Sequence, residues 1–101
     1  MKMLIVLGLR EDDTRITNLF NEAGISMYSR FETSGSVAGV DTELADEWFA
    51  ASGGKAASIA YFSFADDTSA TAALKLVKEA NAEHKTLNRL HGFTLPVEDC
   101  F

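Results

Sequence analysis

The sequence predicts an α+β fold of the ferredoxin-like type, βαββαβ: a four-stranded antiparallel sheet with two helices on one face. Three observations lead there. Apolar patterning runs strand, helix, strand, and does so twice along the 101 residues. Both strand-to-helix turns carry the same tripeptide, Asp12-Asp13-Thr14 and Asp66-Asp67-Thr68. Between the halves, over residues 34–55, neither the strand nor the helix period holds. Two split βαβ units joined by a long loop, each crossover closing right-handed, leave few other topologies.

The elements follow in order. Residues 3–9 are an almost unbroken apolar run of strand length, as a strand buried on both faces requires. Asp12 or Asp13 then caps a helix, since a carboxylate accepts from free backbone N–H groups at the positive end of the helix dipole. Ile16, Leu19, Phe20 and Ala23 fall at i, i+3, i+4 and i+7, one helical stripe, and Gly24 stands where a left-handed C-terminal residue belongs. From Ile25 the period is two. Ile25, Met27, Ser29 and Phe31 share one face of a second strand, and Ser26, Tyr28, Arg30 and Glu32 the other.

After the loop, residues 56–65 restore strand character through Ile59, Tyr61, Phe62 and Phe64. A second helix follows, capped by Asp66, Asp67 or Thr68. Its inward stripe is Ala70, Ala73, Leu74 and Val77, with Lys75, Lys78 and Glu79 facing water. Residues 87–95 read as the last strand, which ends at Pro96, the only proline. Proline has no N–H to give, so it belongs at a strand end or on a sheet edge.

Composition narrows the function. A chain of this length forms one domain, residues 1–101. Net charge is −6 and no stretch is rich in Lys and Arg, which argues against nucleic acid as a partner. The apolar N-terminal run is short and meets Arg10-Glu11-Asp12-Asp13 at once, so it reads as a strand rather than a leader, and a cytoplasmic location is expected. A single cysteine, Cys100, allows no internal disulfide. No Ser-His-Asp set, Walker loop or glycine fingerprint stands in a sensible context, so an enzyme is not expected. Arg10 stands close to where a phosphate-cradling arginine would serve an acylphosphatase of this fold, but the carboxylates beside it would repel such a substrate.

Two helices cover only one face of four strands, yet these strands carry bulk on both: Met27 beside Tyr28, Tyr61 beside Phe62. The uncovered face is too apolar for a monomer, and an oligomer packing sheet faces together is expected.

The segments "MKMLIVLGLREDD", "LFNEAGI" and "GFTLPVED", together with the position of the long loop, resemble the nitrogen regulatory PII-like superfamily. Leu95-Pro96-Val97-Glu98 matches the segment into which the family's final strand runs, and Glu22-Ala23-Gly24-Ile25 its helix-to-strand turn. The resemblance implies a homotrimer that binds a small effector between subunits and regulates a partner protein, such as a membrane transporter, through the loop at residues 34–55. It leaves the cofactor unassigned. The chain departs from the family pattern at Leu90-His91, where nucleotide-binding members carry Gly-Lys. The related CutA-like branch, which is tied to metal tolerance, is the alternative. His84, His91 and Cys100 are the metal-ligating types it would draw on, although their spacing matches no compact motif.

The candidate effector residues are Ser34, Gly35 and Ser36, whose backbone N–H groups can cradle an anion, and Arg89 and His91, which alternate onto one face of the last strand. Arg30, Lys55 and Lys85 are further sources of positive charge. The candidate partner-binding residues are Asp41, Glu43, Trp48 and Phe49. An aromatic pair rimmed by carboxylates suits a docking anchor, and it suits equally a segment folded back over the sheet edge.

Overall fold

A computed structural model describes residues 1–34, 57–83 and 89–101. Four strands, β1 (Lys2–Leu9), β2 (Ser29–Ser34), β3 (Ala57–Ala65) and β4 (His91–Pro96), form one sheet in the order β2-β3-β1-β4. Every neighbouring pair is antiparallel. Helices α1 (Asp13–Glu22) and α2 (Asp67–Glu83) are the two crossovers. This is the expected ferredoxin-like arrangement.

Both helices lie on one face. The ladder sets Leu4 opposite Ser63 and Thr94, and Val6 opposite Tyr61 and Gly92, so these side chains point the same way. Leu4, Val6 and Tyr61 are fully buried there against Ile16, Leu19 and Phe20 of α1 and Ala73 and Val77 of α2. Full burial of an aliphatic side chain of this size contributes roughly 1.5–3 kcal/mol, so this layer is the main source of stability. Tyr61 sits edge-on to both Phe20 and Tyr28, with ring centroids 5.6 and 5.7 Å away.

The helix ends have distinct local causes. Asp66 accepts from the backbone N–H of Ser69 at 2.7 Å and from its hydroxyl at 3.2 Å, so Asp66 is the cap of α2. These bonds hold the Asp66 carboxyl below its ordinary pKa. At α1 the expected cap is absent. Asp12 turns back to accept from the N–H of Leu9 at 2.9 Å, and a short 3-10 turn, Arg10–Asp12, leads into the helix. At the other end of α1, Gly24 adopts φ +79°, Gly24 N–H donates to Asn21 and Ile25 N–H to Phe20. Both bonds of a Schellman stop are present.

That stop corrects the second strand, which begins at Ser29 rather than at Ile25. Ile25 is drawn into the core as the apolar residue closing the helix end, while Met27 and Phe31, its expected face-mates, are 83% and 48% exposed. The last strand starts later as well. Ladder pairing begins at His91, with Leu90 buried just before it, and residues 84–88 lie outside the described residues.

Pro96 is the last residue of β4, opposite Lys2 on an edge strand. The next N–H, that of Val97, donates to the carbonyl of Met1 at 3.4 Å. Alternation along the strand then directs the backbone groups of Gly92, Thr94 and Pro96 outward, away from β1. The donor that proline lacks is one the ladder never needed, and its absence blunts the exposed edge.

Candidate functional site

The sheet face opposite the helices, uncovered among the described residues, is apolar. It carries Ile5 and Leu7 of β1, Phe62 and Phe64 of β3, Phe93 and Leu95 of β4 and Phe31 of β2, with Phe64 57% exposed. Phe62 contacts Phe31 and Phe64 edge-on, with centroids 5.9 and 6.3 Å apart. This is the face that the two helices leave open.

A groove of about 500 Å³ runs between α2 and the outer edge of β4. Leu74 and Val77 form one wall, Leu90, Gly92 and Phe93 the other, Lys78 and Arg89 supply positive charge, and His91 also lines it. Gly92 is required for so close an approach, since a Cβ there would stand 2.9 Å from Leu74 Cδ2 and 3.3 Å from Val77 Cγ2. Lys78 and Arg89 are exposed, and neither takes part in an ion pair among the described residues. The three other described arginines do: Arg10 with Glu32, Arg15 with Asp12 and Arg30 with Asp13. In a chain of net charge −6, two cations without an ion-pair partner among the described residues favour an anionic occupant of the groove.

Arg89 and His91 both line this groove, although Arg89 precedes the strand rather than lying in it. Ser34, the last residue of β2, lies at the same end of the sheet but on the opposite edge. Three strand spacings separate β2 from β4, about 14 Å. One chain alone therefore does not join Ser34 to Arg89 and His91. Arg30 is also on β2, engaged with Asp13 at 3.2 Å. Gly35, Ser36, Asp41, Glu43, Trp48, Phe49, Lys55, His84 and Lys85 lie outside the described residues. Among the described residues no three His, Cys, Asp or Glu side chains converge as a metal site, and Cys100 is exposed. No helix among them is long and apolar enough to cross a membrane.

Sequence reasoning missed two residues. Lys78 reads only as a water-facing helix position, and its place in the groove depends on how α2 docks beside β4. Asn81 makes a two-point pair with the backbone of Leu90, its Nδ2 donating to the carbonyl and its Oδ1 accepting from the N–H, both at 2.9 Å. A capping or turn signal does not predict it, because nine residues separate the partners.

The elements and the groove define a class: an α+β protein of ferredoxin-like topology with an uncovered apolar sheet face and a cationic cleft at one edge. Solved structures specify it further. CPII, a nitrogen regulatory PII-like protein from Thiomonas intermedia K12, solved with ADP, AMP and bicarbonate, superposes with a TM-score of 0.59 at 15% identity, over 97% of this chain and 94% of that one. Its apo form gives 0.56 at 15% identity over 93% and 89%. A PII-like signaling protein from Thermus thermophilus gives 0.59 at 10% identity over 93% and 83%. No family model and no curated protein matches the chain. At these identities the likeness establishes the fold, and the fold is that of the PII-like proteins.

Proposed function

We propose that the chain is a divergent PII-like regulatory protein. Copies associate as a trimer through the apolar sheet face. A small anionic effector binds in the groove beside β4, and the loop at residues 34–55 passes its presence to a partner protein, with a membrane transporter as the partner class. The observation that carries this reading is the groove itself, whose lining includes Lys78, Arg89 and His91 in an otherwise acidic chain. Ser34 sits on the far edge of the same sheet, so a second copy is needed to bring it to that groove. That separation supports placing the proposed effector site between subunits.

The CPII structures with ADP, AMP and bicarbonate suggest the probes. A thermal-shift panel of these three and orthophosphate is the direct test, because a ligand that binds only the folded state raises Tm by mass action. A rise with at least one anion, lost in Arg89→Ala, supports the reading. Flat melting curves across the panel overturn it.

A further inference from the structure

We propose that Asn81 is the positioning residue of the groove, holding Arg89 and His91 in place through the backbone of Leu90. This rests on the effector reading above. The phase of the ladder explains why such a residue is needed. His91 pairs with Leu7 on β1, so the N–H and C=O of Leu90, one residue earlier, turn outward to an edge where no strand lies among the described residues. Leu90 is 1% exposed, so water does not readily reach them. A carboxamide carries one acceptor and one N–H donor in the spacing of a peptide unit. Asn81 therefore stands in for the missing strand, with both bonds at 2.9 Å.

The consequence falls on the residues either side of Leu90. Arg89 and His91 flank the clamped peptide, and both line the groove together with Asn81. Lys78 stands three residues before Asn81 on the same helix, so one element sets this cation and the anchor of the segment that carries Arg89 and His91. Without the clamp, Leu90 lacks its outer partner and the approach to β4 loses its fixed course. The two side chains then explore more conformations before they meet an anion, and affinity falls.

The test is an NMR titration of orthophosphate, followed on the His91 imidazole C–H resonance, in wild type, Asn81→Ala, Arg89→Ala and the double variant. Asn81→Ala is expected to bind roughly tenfold more weakly. Because Asn81 acts through Arg89, the double variant is expected to lose less than the sum of the singles. Asn81→Gln, which keeps a neutral carboxamide one methylene further out, is expected to fall between wild type and Asn81→Ala. Ser63→Ala, at the distant end of β3, serves as the control for lowered stability, and its affinity is expected to match wild type. Equal binding in Asn81→Ala, or strictly additive losses, overturns the proposal while leaving the effector reading intact. Failure of the wild type to bind orthophosphate overturns that reading for this class of anion, and the role of Asn81 falls with it.

Discussion

Ser63 donates its hydroxyl to the carbonyl of Met27 at 2.6 Å, from a side chain almost wholly buried in the sheet. The bond sits where the β2–β3 ladder would continue, one step beyond the pair Ser29–Phe62. It anchors the segment that leaves the α1 stop and enters β2. Ser63→Ala removes the donor, and about 1–3 kcal/mol of stability is expected to go with it. Urea unfolding measures the loss. An unchanged midpoint would show that water replaces the hydroxyl at Met27.

Gly24 carries φ +79° with open space where a Cβ would stand. Its role is conformational rather than steric. Gly24→Ala is expected to cost about 1 kcal/mol through the left-handed backbone alone. Gly24→Asn should cost less, since asparagine tolerates that region better. Equal losses for the two would place the penalty elsewhere.

Gly92 is the opposite case. Its backbone conformation is ordinary for a strand, and the constraint is Leu74 Cδ2, 2.9 Å from the position of an added Cβ. Gly92→Ala is expected to lower Tm and to shift α2 away from β4, opening the groove. Because the clashing atom is the tip of a flexible side chain, the companion substitution Leu74→Ala should relieve the clash. The double variant is then expected to lose less than the two singles together. Additive losses in Tm would rule out this contact as the cause.

These cases separate what the chain reveals of its fold from what it conceals. Ile16, Leu19, Phe20 and Ala23 read as one stripe because helical periodicity depends only on local spacing, and all four are buried. The period of two sets Tyr28 and Arg30 on one face, and both make contacts to α1, Tyr28 with Phe20 and Arg30 with Asp13. Pro96 is legible because a missing donor narrows the places a residue can occupy. Ser63 and Asn81 are not legible. Both are small polar residues whose partners are set by three-dimensional docking, 36 and nine residues away in the chain. Ile25 misleads for a related reason: it alternates correctly with Met27, but the helix stop takes it first.

The apolar sheet face makes a prediction about assembly. Phe64 is 57% exposed on that face, and its ring contacts Phe62 rather than the helix layer. Phe64→Glu is expected to leave the chain folded and to abolish the proposed trimer, because each copy would bring a carboxylate into a dry contact. Sedimentation at micromolar concentration distinguishes the outcomes. A wild type that sediments as a monomer would contradict the association reading outright.

Asp66 gives the pH dependence a definite sign. Its carboxyl is held below the ordinary value by the Ser69 backbone N–H first, and then by the Ser69 hydroxyl. A carboxylate with a depressed folded-state pKa stabilises the fold above its unfolded pKa, and that contribution is lost as pH falls through the folded-state value. The Tm of wild type is therefore expected to exceed that of Asp66→Ala at pH 7, and the gap should narrow as the solution is acidified through the carboxylate range. Asp66→Asn retains an oxygen for the Ser69 N–H but no charge, so it should lie between the two at pH 7 and approach wild type in acid. A gap between wild type and Asp66→Ala that stays constant from pH 7 down to pH 3 would show that the ionised carboxylate contributes nothing beyond a neutral cap.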